Sequence, residues 1–375
     1  MNLDHLDDPL GFTPDDRFRA AAQRDGRRRR TRRRLALATG SVLTSMAVLV
    51  AALAGYGLWR TSQIDRVDVE FAAPPVSLDE PFNILLIGSD SREGTSFDDR
   101  SVVGARTDTM IIVRVVPTER SVELFSLPRD LVLDPSLGAG GRLNTVFAEG
   151  GPAALVSTVE GQLGIPLSGY VEVDFEGFVD LVNAGGGVPM SVTSTLRDQA
   201  TGLALSPSSC TVIDGETALA LARSRHLETL SESGRWVEDP TSDFGRMQRQ
   251  RTFLQLVASR LPTLAGSMGG ARAALDVLTD HVTVDDRLDV ATLFGLARWV
   301  VEGPPVTVTS GFVPTVPTML GQASVLVLGP GAGSQIDRAG GSLPTQTADA
   351  AAGTTPGTGS TISEPVSVVP FGPCP

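Results

Sequence analysis

The chain contains no lysine: all 31 of its basic residues are arginine. A P-loop needs Gly-Lys-Ser/Thr, a protein kinase needs its strand lysine, and a pyridoxal-phosphate enzyme needs a Schiff-base lysine, so these three classes are excluded. Histidine is nearly as scarce. His5, His226 and His281 are scattered, which argues against a histidine-based zinc cluster. Cys210 and Cys374, the two cysteines, lie too far apart for a thiolate metal site of local spacing. Phosphate or carboxylate chemistry in this chain therefore falls to arginine and aspartate.

What is present is enough apolar material for a core. Hydrophobic residues make up 41% of the 375 positions and charged residues 20%, which suits one large domain or two ordinary ones, plus tails. The net charge of −12 is unevenly spread. Residues 1–34 hold ten arginines and six acids, residues 35–59 hold no charge, and the remainder is strongly acidic. A large acidic domain is a poor general binder of nucleic acid, and none is expected as a partner.

Residues 1–34 read as a polar cytoplasmic tail ending in a basic block. The uncharged run 35–59 is long enough to cross a bilayer as one helix, and Tyr56 and Trp59 sit where aromatic rings favour the interface. A cleaved signal peptide is the competing reading; the run is too long and starts too late for one. Arginine on the N-terminal flank places that end inside, so residues 60–375 are expected outside the cell membrane. Residues 60–80 read as a stalk, 81–328 as the main domain, and 329–375 as a low-complexity tail, loosest over 330–364.

Within the domain the pattern is α/β. FNILLIG (82–88) is a buried strand, and TMIIVRVVP (109–117) and VELFSLP (122–128) form an antiparallel pair. Helices are expected at 152–164, at 175–184, after Asp214, after Asp243 and at 288–302, with late strands in VTVTSGFVP and ASVLVLG. GPGAGS (329–334) superficially resembles a dinucleotide fingerprint, but no βαβ helix follows it.

Four clusters could carry chemistry, each at an element end. Asp90 and Arg92 leave the first strand, and Arg106 and Asp108 enter the next. Two aspartates there could share a hard cation such as Mg²⁺; a surface Asp–Arg pair is the plainer reading. Arg129 and Asp130 end the third strand, where a simple ion pair would account for both. Arg223 and Arg225, next to His226, could present planar forks to phosphate oxygens, or merely complement a helix dipole. Arg246, Arg249 and Gln250 share one face in the first turns of a helix. The apolar Met247, Leu254, Val257 and Leu261 share another, which leaves the polar face as either an anion site or a solvated surface.

NILLIGSDSR, GARTDTMIIVRV, LFSLPRDL, LNTVFAEGG, YVEVDFEGFVDLVNAGGGV, DGETALALARSRH and DFGRMQRQRTFL, in this order over residues 80–265, resemble the successive motifs of the LytR–CpsA–Psr family. The resemblance implies a three-layer α/β/α domain with a central mixed sheet behind one transmembrane helix. It implies a phosphotransferase that moves a glycopolymer from a polyprenyl diphosphate carrier onto peptidoglycan as a phosphodiester, with Mg²⁺ (or Mn²⁺) and with diphosphate hydrolysis as a side activity. By motif, Asp90 and Asp108 match the metal-associated acids. Arg106, Arg129, Arg223, Arg225, Arg246 and Gln250 match the diphosphate grip, with Arg92 and Arg249 as weaker matches. Asp90, Asp108 and Asp130 are the candidates to accept the hydroxyl proton. The chain departs from the pattern in the loop between Asp90 and Arg106, which carries the extra acids Asp98 and Asp99, and it ends without the further C-terminal domain of some relatives. A non-catalytic lipid-diphosphate or glycan-binding module is the main rival. A membrane-tethered transcription regulator is disfavoured, because the short inside segment carries no helix-turn-helix.

Two cysteines in an oxidising compartment most simply form one bond, Cys210–Cys374, with free or intermolecular thiols as the alternative. The bond would explain why an apolar stretch, VSVVPFGP, follows a loose linker.

Overall fold

The structure, a computed structural model, describes residues 63–89, 107–240, 242–258, 268–343 and 369–375, together with 60 and 260. All but Arg60 belong to one compact unit, Gln63–Pro375. The expected membrane span at 35–59 lies outside the described residues, among which no helix is long and apolar enough to cross a membrane.

In chain order the unit begins β1 (Asp65–Val67), β2 (Phe82–Ser89), β3 (Thr107–Val116), β4 (Ser121–Leu127), α1 (Leu143–Leu163), β5 (Gly169–Asp174) and α2 (Phe175–Ala184). It continues β6 (Val188–Val192), β7 (Leu196–Asp198), β8 (Leu203–Leu205), β9 (Ser208–Ile213), α3 (Gly215–Arg223), β10 (Glu228–Leu230), β11 (Trp236–Glu238), α4 (Ser242–Ala258) and α5 (Met268–Asp280). It closes with β12 (Val282–Asp285), α6 (Val290–Val301), β13 (Thr307–Phe312), β14 (Thr315–Leu320), β15 (Ala323–Leu328), α7 (Ala332–Arg338) and β16 (Phe371–Gly372).

Seven strands form the central mixed sheet, ordered β1-β12-β5-β2-β3-β4-β13. β2, β4, β5 and β13 run one way, and β1, β3 and β12 the other. Strand alternation divides the apolar side chains between two faces. Leu85, Ile87, Met110, Ile112 and Phe125 pack against α1 and against Ala332 and Ile336 of α7. Phe82, Ile84 and Val115 look the other way, with Leu296 and Trp299 of α6 against them. A separate core joins α2, α3, Phe253 of α4 and the small strands β6 to β9.

Three sequence readings are corrected. The stalk at 60–80 belongs to the fold, because β1 pairs in parallel with β12 and Ile64, Val69 and Phe71 are buried. The stretch read as loose from residue 330 begins with α7, whose Ala332 and Ile336 are fully buried; small side chains there mark close packing. On α4 the polar face turns inward: Arg246, Arg249 and Gln250 are buried in line with Phe253, while Leu254 and Val257 are only partly covered. α1 also starts earlier than expected, at Leu143, and breaks at Gly151 (φ 65°) so that Pro152 opens its second segment.

At the C-terminus, β16 adds to β6 and buries Phe371 in the second core, and Cys374 is bonded to Cys210 of β9.

Candidate functional site

The carboxyl ends of β2, β4, β5 and β13 and the start of β3 meet at one end of the sheet. Ligand sites in open α/β sheets form outside the carboxyl ends of strands. There Ser89 pairs with Thr107 across an irregularity after Gly88, and with Asp174 on the other side. Asp90, Arg92 and Arg106 lie outside the described residues, as does the side chain of Asp108; the backbone of Asp108 is in β3. Ser89 precedes Asp90 and Thr107 precedes Asp108 in the chain, and both hydroxyls are buried with no hydrogen-bond partner among the described residues. Hydroxyl and carboxylate oxygens are hard donors, the type that Mg²⁺ or Mn²⁺ takes. No group of three or more His, Cys, Asp or Glu is placed to hold a metal among the described residues.

Arg129 and Asp130 leave β4 at the same end and form the ion pair that the sequence allowed, Nε to Oδ2 3.5 Å. The loop is fixed by neighbours on both sides. Leu326 N–H donates to the Asp130 carbonyl at 3.1 Å and Asn144 N–H to the Arg129 carbonyl at 3.0 Å. Arg142, which sequence reasoning passed over, lies 3.9 Å from Asp130 Oδ1 and donates to the Ser324 carbonyl at 3.0 Å. Its signal was its place immediately before LNTVFAEGG.

Arg223 reaches this end by a different route. Asp174 closes β5 and caps α2, accepting from Gly177 N–H at 2.6 Å. That fixes Phe175, and the Arg223 guanidinium stacks over its ring at 4.8 Å. α3, which carries Arg223 at its end, is capped by Asp214 and packs tightly on α2: a Cβ on Gly215 would stand 2.3 Å from the Val179 carbonyl oxygen. Arg223 is exposed and Arg225 half-buried.

The backbone between them is clamped. Ser224 Oγ donates to Asp198 at 2.7 Å, His226 N–H to the same oxygen at 3.1 Å, and Gln250 Nε2 to the Ala222 carbonyl at 2.9 Å. Arg249 donates to the Ser224 carbonyl at 2.8 Å and pairs with Asp239. Arg249 is 1% exposed, so the diphosphate contact expected of it is corrected to a structural role. Gln250 likewise braces α3. Arg246 is buried as well.

His281 is a second residue that the sequence did not single out. Its ring nitrogens lie 3.3 Å from Asp174 and 3.5 Å from Asp180. Gly177 permits this approach: a Cβ there would stand 2.3 Å from that of His281.

Burial raises the Asp198 carboxyl, but hydrogen bonds from Ser224, His226, Ala200 and Thr201 outweigh it and leave the pKa below its ordinary value. A carboxyl whose folded pKa is lowered contributes stability above its unfolded pKa and loses it as pH falls through the folded one. Asp198→Asn should therefore lower stability at neutral pH and flatten its decline in acid. Urea melts from pH 7 down to 3 would test this; parallel wild-type and variant curves would refute it.

Residues 59–329 match the LytR_cpsA_psr family. A Halalkalibacterium halodurans protein named polyisoprenyl-teichoic acid–peptidoglycan teichoic acid transferase TagU is 32% identical over 268 residues, 68% of this chain and 80% of its own length. The Bacillus subtilis protein of the same name is 30% identical over 245 residues, 62% of this chain and 72% of its own. Among solved structures, a "LytR-Csp2A-Psr enzyme from Actinomyces oris" superposes with a TM-score of 0.57 at 26% identity, over 74% of this chain and 96% of that one. With residues 59–329 matched, well over half its length, the chain belongs to the LytR–CpsA–Psr family.

Proposed function

We propose that the chain is a phosphotransferase that moves a glycopolymer from a polyprenyl diphosphate carrier onto peptidoglycan. The observation that carries the reading is convergence. Arg129 leaves β4, and Arg223 rests on Phe175 at the end of β5, at the same end of the sheet as Ser89, which Asp90 follows in the chain, and the backbone of Asp108. Relatives named for teichoic acid transfer to peptidoglycan supply the substrate class.

In the proposed reaction an acceptor sugar hydroxyl attacks the phosphorus that bears the glycan. The bond from that phosphorus to the bridging oxygen breaks, and polyprenyl phosphate leaves with the electron pair. The hydroxyl proton passes to a carboxylate among Asp90, Asp108 and Asp130. Arg129, Arg223 and Arg225 neutralise charge that grows on the phosphate oxygens, and their planar forks orient the diphosphate. Asp90 and Asp108 would hold Mg²⁺ or Mn²⁺, which when bound supplies further positive charge to those oxygens.

The anchor at 35–59 would hold the domain outside the cell at the membrane surface, where the carrier's headgroup emerges. The Cys210–Cys374 bond suits an oxidising compartment.

The test uses the full chain in detergent with a polyprenyl diphosphate glycan and peptidoglycan, following formation of the phosphodiester-linked product. Arg223→Lys keeps the charge but loses the fork and the stacking on Phe175. It should weaken diphosphate binding by about 10- to 100-fold, the range for a charged hydrogen bond. Wild-type affinity in this variant would remove the geometric role of Arg223, and absence of any transfer by the wild type would remove the reading itself.

A further inference from the structure

The four strands β11-β10-β7-β8 form a small sheet beside the site, and its two faces differ. The inner face carries Leu196 and Leu203 into the second core, and carries Asp198, which holds Ser224 and His226 N–H. This face is thus the mount of the Arg223–His226 segment.

The outer face is set by cross-strand register. Ala204 stands opposite Arg197, Arg197 opposite Glu228, Glu228 opposite Glu238, and Leu230 opposite Trp236. Directly opposed residues share a face, so Arg197, Glu228, Glu238, Leu230 and Trp236 lie together. The Arg197 guanidinium grips Glu228 with two bonds, 2.7 and 3.3 Å, and lies 3.9 Å over the Trp236 ring. His226, next in sequence to Arg225, meets Glu238 at 2.7 Å. The face remains open to solvent, with the side chains of His226 and Glu238 exposed at 68% and 57%.

We propose that this outer face, built from Trp236, Arg197, Glu228, His226 and Glu238, binds the glycan strand of the acceptor; identifying that glycan as the acceptor rests on the transferase reading. Three features select a sugar chain. The face stacks a planar guanidinium on an indole, and sugar rings pack on such planes. Its carboxylates and ring nitrogens are held in pairs, so they meet vicinal hydroxyls with little further loss of side-chain entropy. The one cation of the face, Arg197, is matched with Glu228, so the face offers no positive field to attract a polyanion. Continuity supplies the rest. The His226 ring meets Glu238 and His226 follows Arg225 in the chain, so the outer face continues into the segment that carries Arg223 and Arg225.

The plainer account is that these pairs only stabilise the sheet. Co-sedimentation of the full-length protein with purified peptidoglycan separates the two, because it reads binding without turnover. Trp236→Ala should lower retention by about tenfold or more, as expected for an aromatic anchor. Glu238→Gln, at an exposed position, keeps the shape and should lower retention without changing the melting temperature. Met319→Ala, an exposed change on β14, should alter nothing. A soluble oligosaccharide of β-1,4-linked N-acetylglucosamine should compete with retention. Unchanged retention in both Trp236→Ala and Glu238→Gln would overturn the proposal. So would retention that salt removes and the oligosaccharide does not. Face-dependent retention by a protein that transfers nothing would overturn the transferase reading and leave the glycan site standing.

Discussion

Asp108→Ala is expected to reduce transfer by at least about 100-fold, with the fold intact. The magnitude follows from losing one preorganised electrostatic stabiliser, about 2.7–4 kcal/mol of barrier. Asp108 is at the start of β3, whereas the contacts that hold that strand lie further along, in Met110, Ile112 and Phe125 of β4. If Asp108 acts with Asp90 through a shared Mg²⁺, then Asp90→Ala should fail to the same degree. The double variant should then be scarcely worse than either single one, because residues that act as a unit are not additive. Chelator should silence the wild type and have little left to remove in the variants. The measurements are initial rates of product formation with and without added Mg²⁺, beside a thermal melt. Full activity in chelator, or a double variant whose losses multiply, would end the shared-metal assignment. A large drop in melting temperature for Asp108→Ala alone would assign it to the fold instead.

The sheet centre was legible in the sequence and its periphery was not. FNILLIG and the TMIIVRVVP/VELFSLP pair announce buried strands because both faces of β2 and β3 are covered, and continuous apolar runs are what such burial demands. β7, β8, β10 and β11 have three residues each, too few to display a period, and the β7–β10 pairing that joins the two hairpins is long-range. α7 was hidden for another reason: alanine, glycine and serine look like linker composition, yet small side chains are what allow Ala332 to be fully buried. For the site, the sequence brought out the arginines but not which ones face outward. Arg223 and Arg249 have the same chemistry. Only the placement of Phe175 under one and Asp239 beside the other separates a surface fork from an internal clamp.

That separation has a measurable consequence in Arg249→Ala. Arg249 is buried together with most of Asp239, whose side chain is 14% exposed. Burial pulls the guanidinium's pKa down, and the Asp239 hydrogen bond and charges oppose that pull, so the cation depends on its partner. Removing one member of a buried pair leaves the other uncompensated and costs about 3–5 kcal/mol. The Ser224 carbonyl loses its donor as well, which leaves the segment carrying Arg223 and Arg225 held by Asp198 and Gln250. Arg249→Ala should thus lower the free energy of unfolding, measured in urea, by several kcal/mol, and any loss of activity should follow the loss of folded protein. A paired replacement distinguishes this from a role in binding. Arg249→Met with Asp239→Asn removes both charges and keeps the volume, and such exchanges are often close to neutral. The double variant should recover most of the stability and, with the segment still held by Asp198 and Gln250, most of the activity. If it is stable and still fails to bind the lipid diphosphate, Arg249 touches the substrate after all. If Arg249→Ala melts like the wild type, the clamp is not what holds the segment.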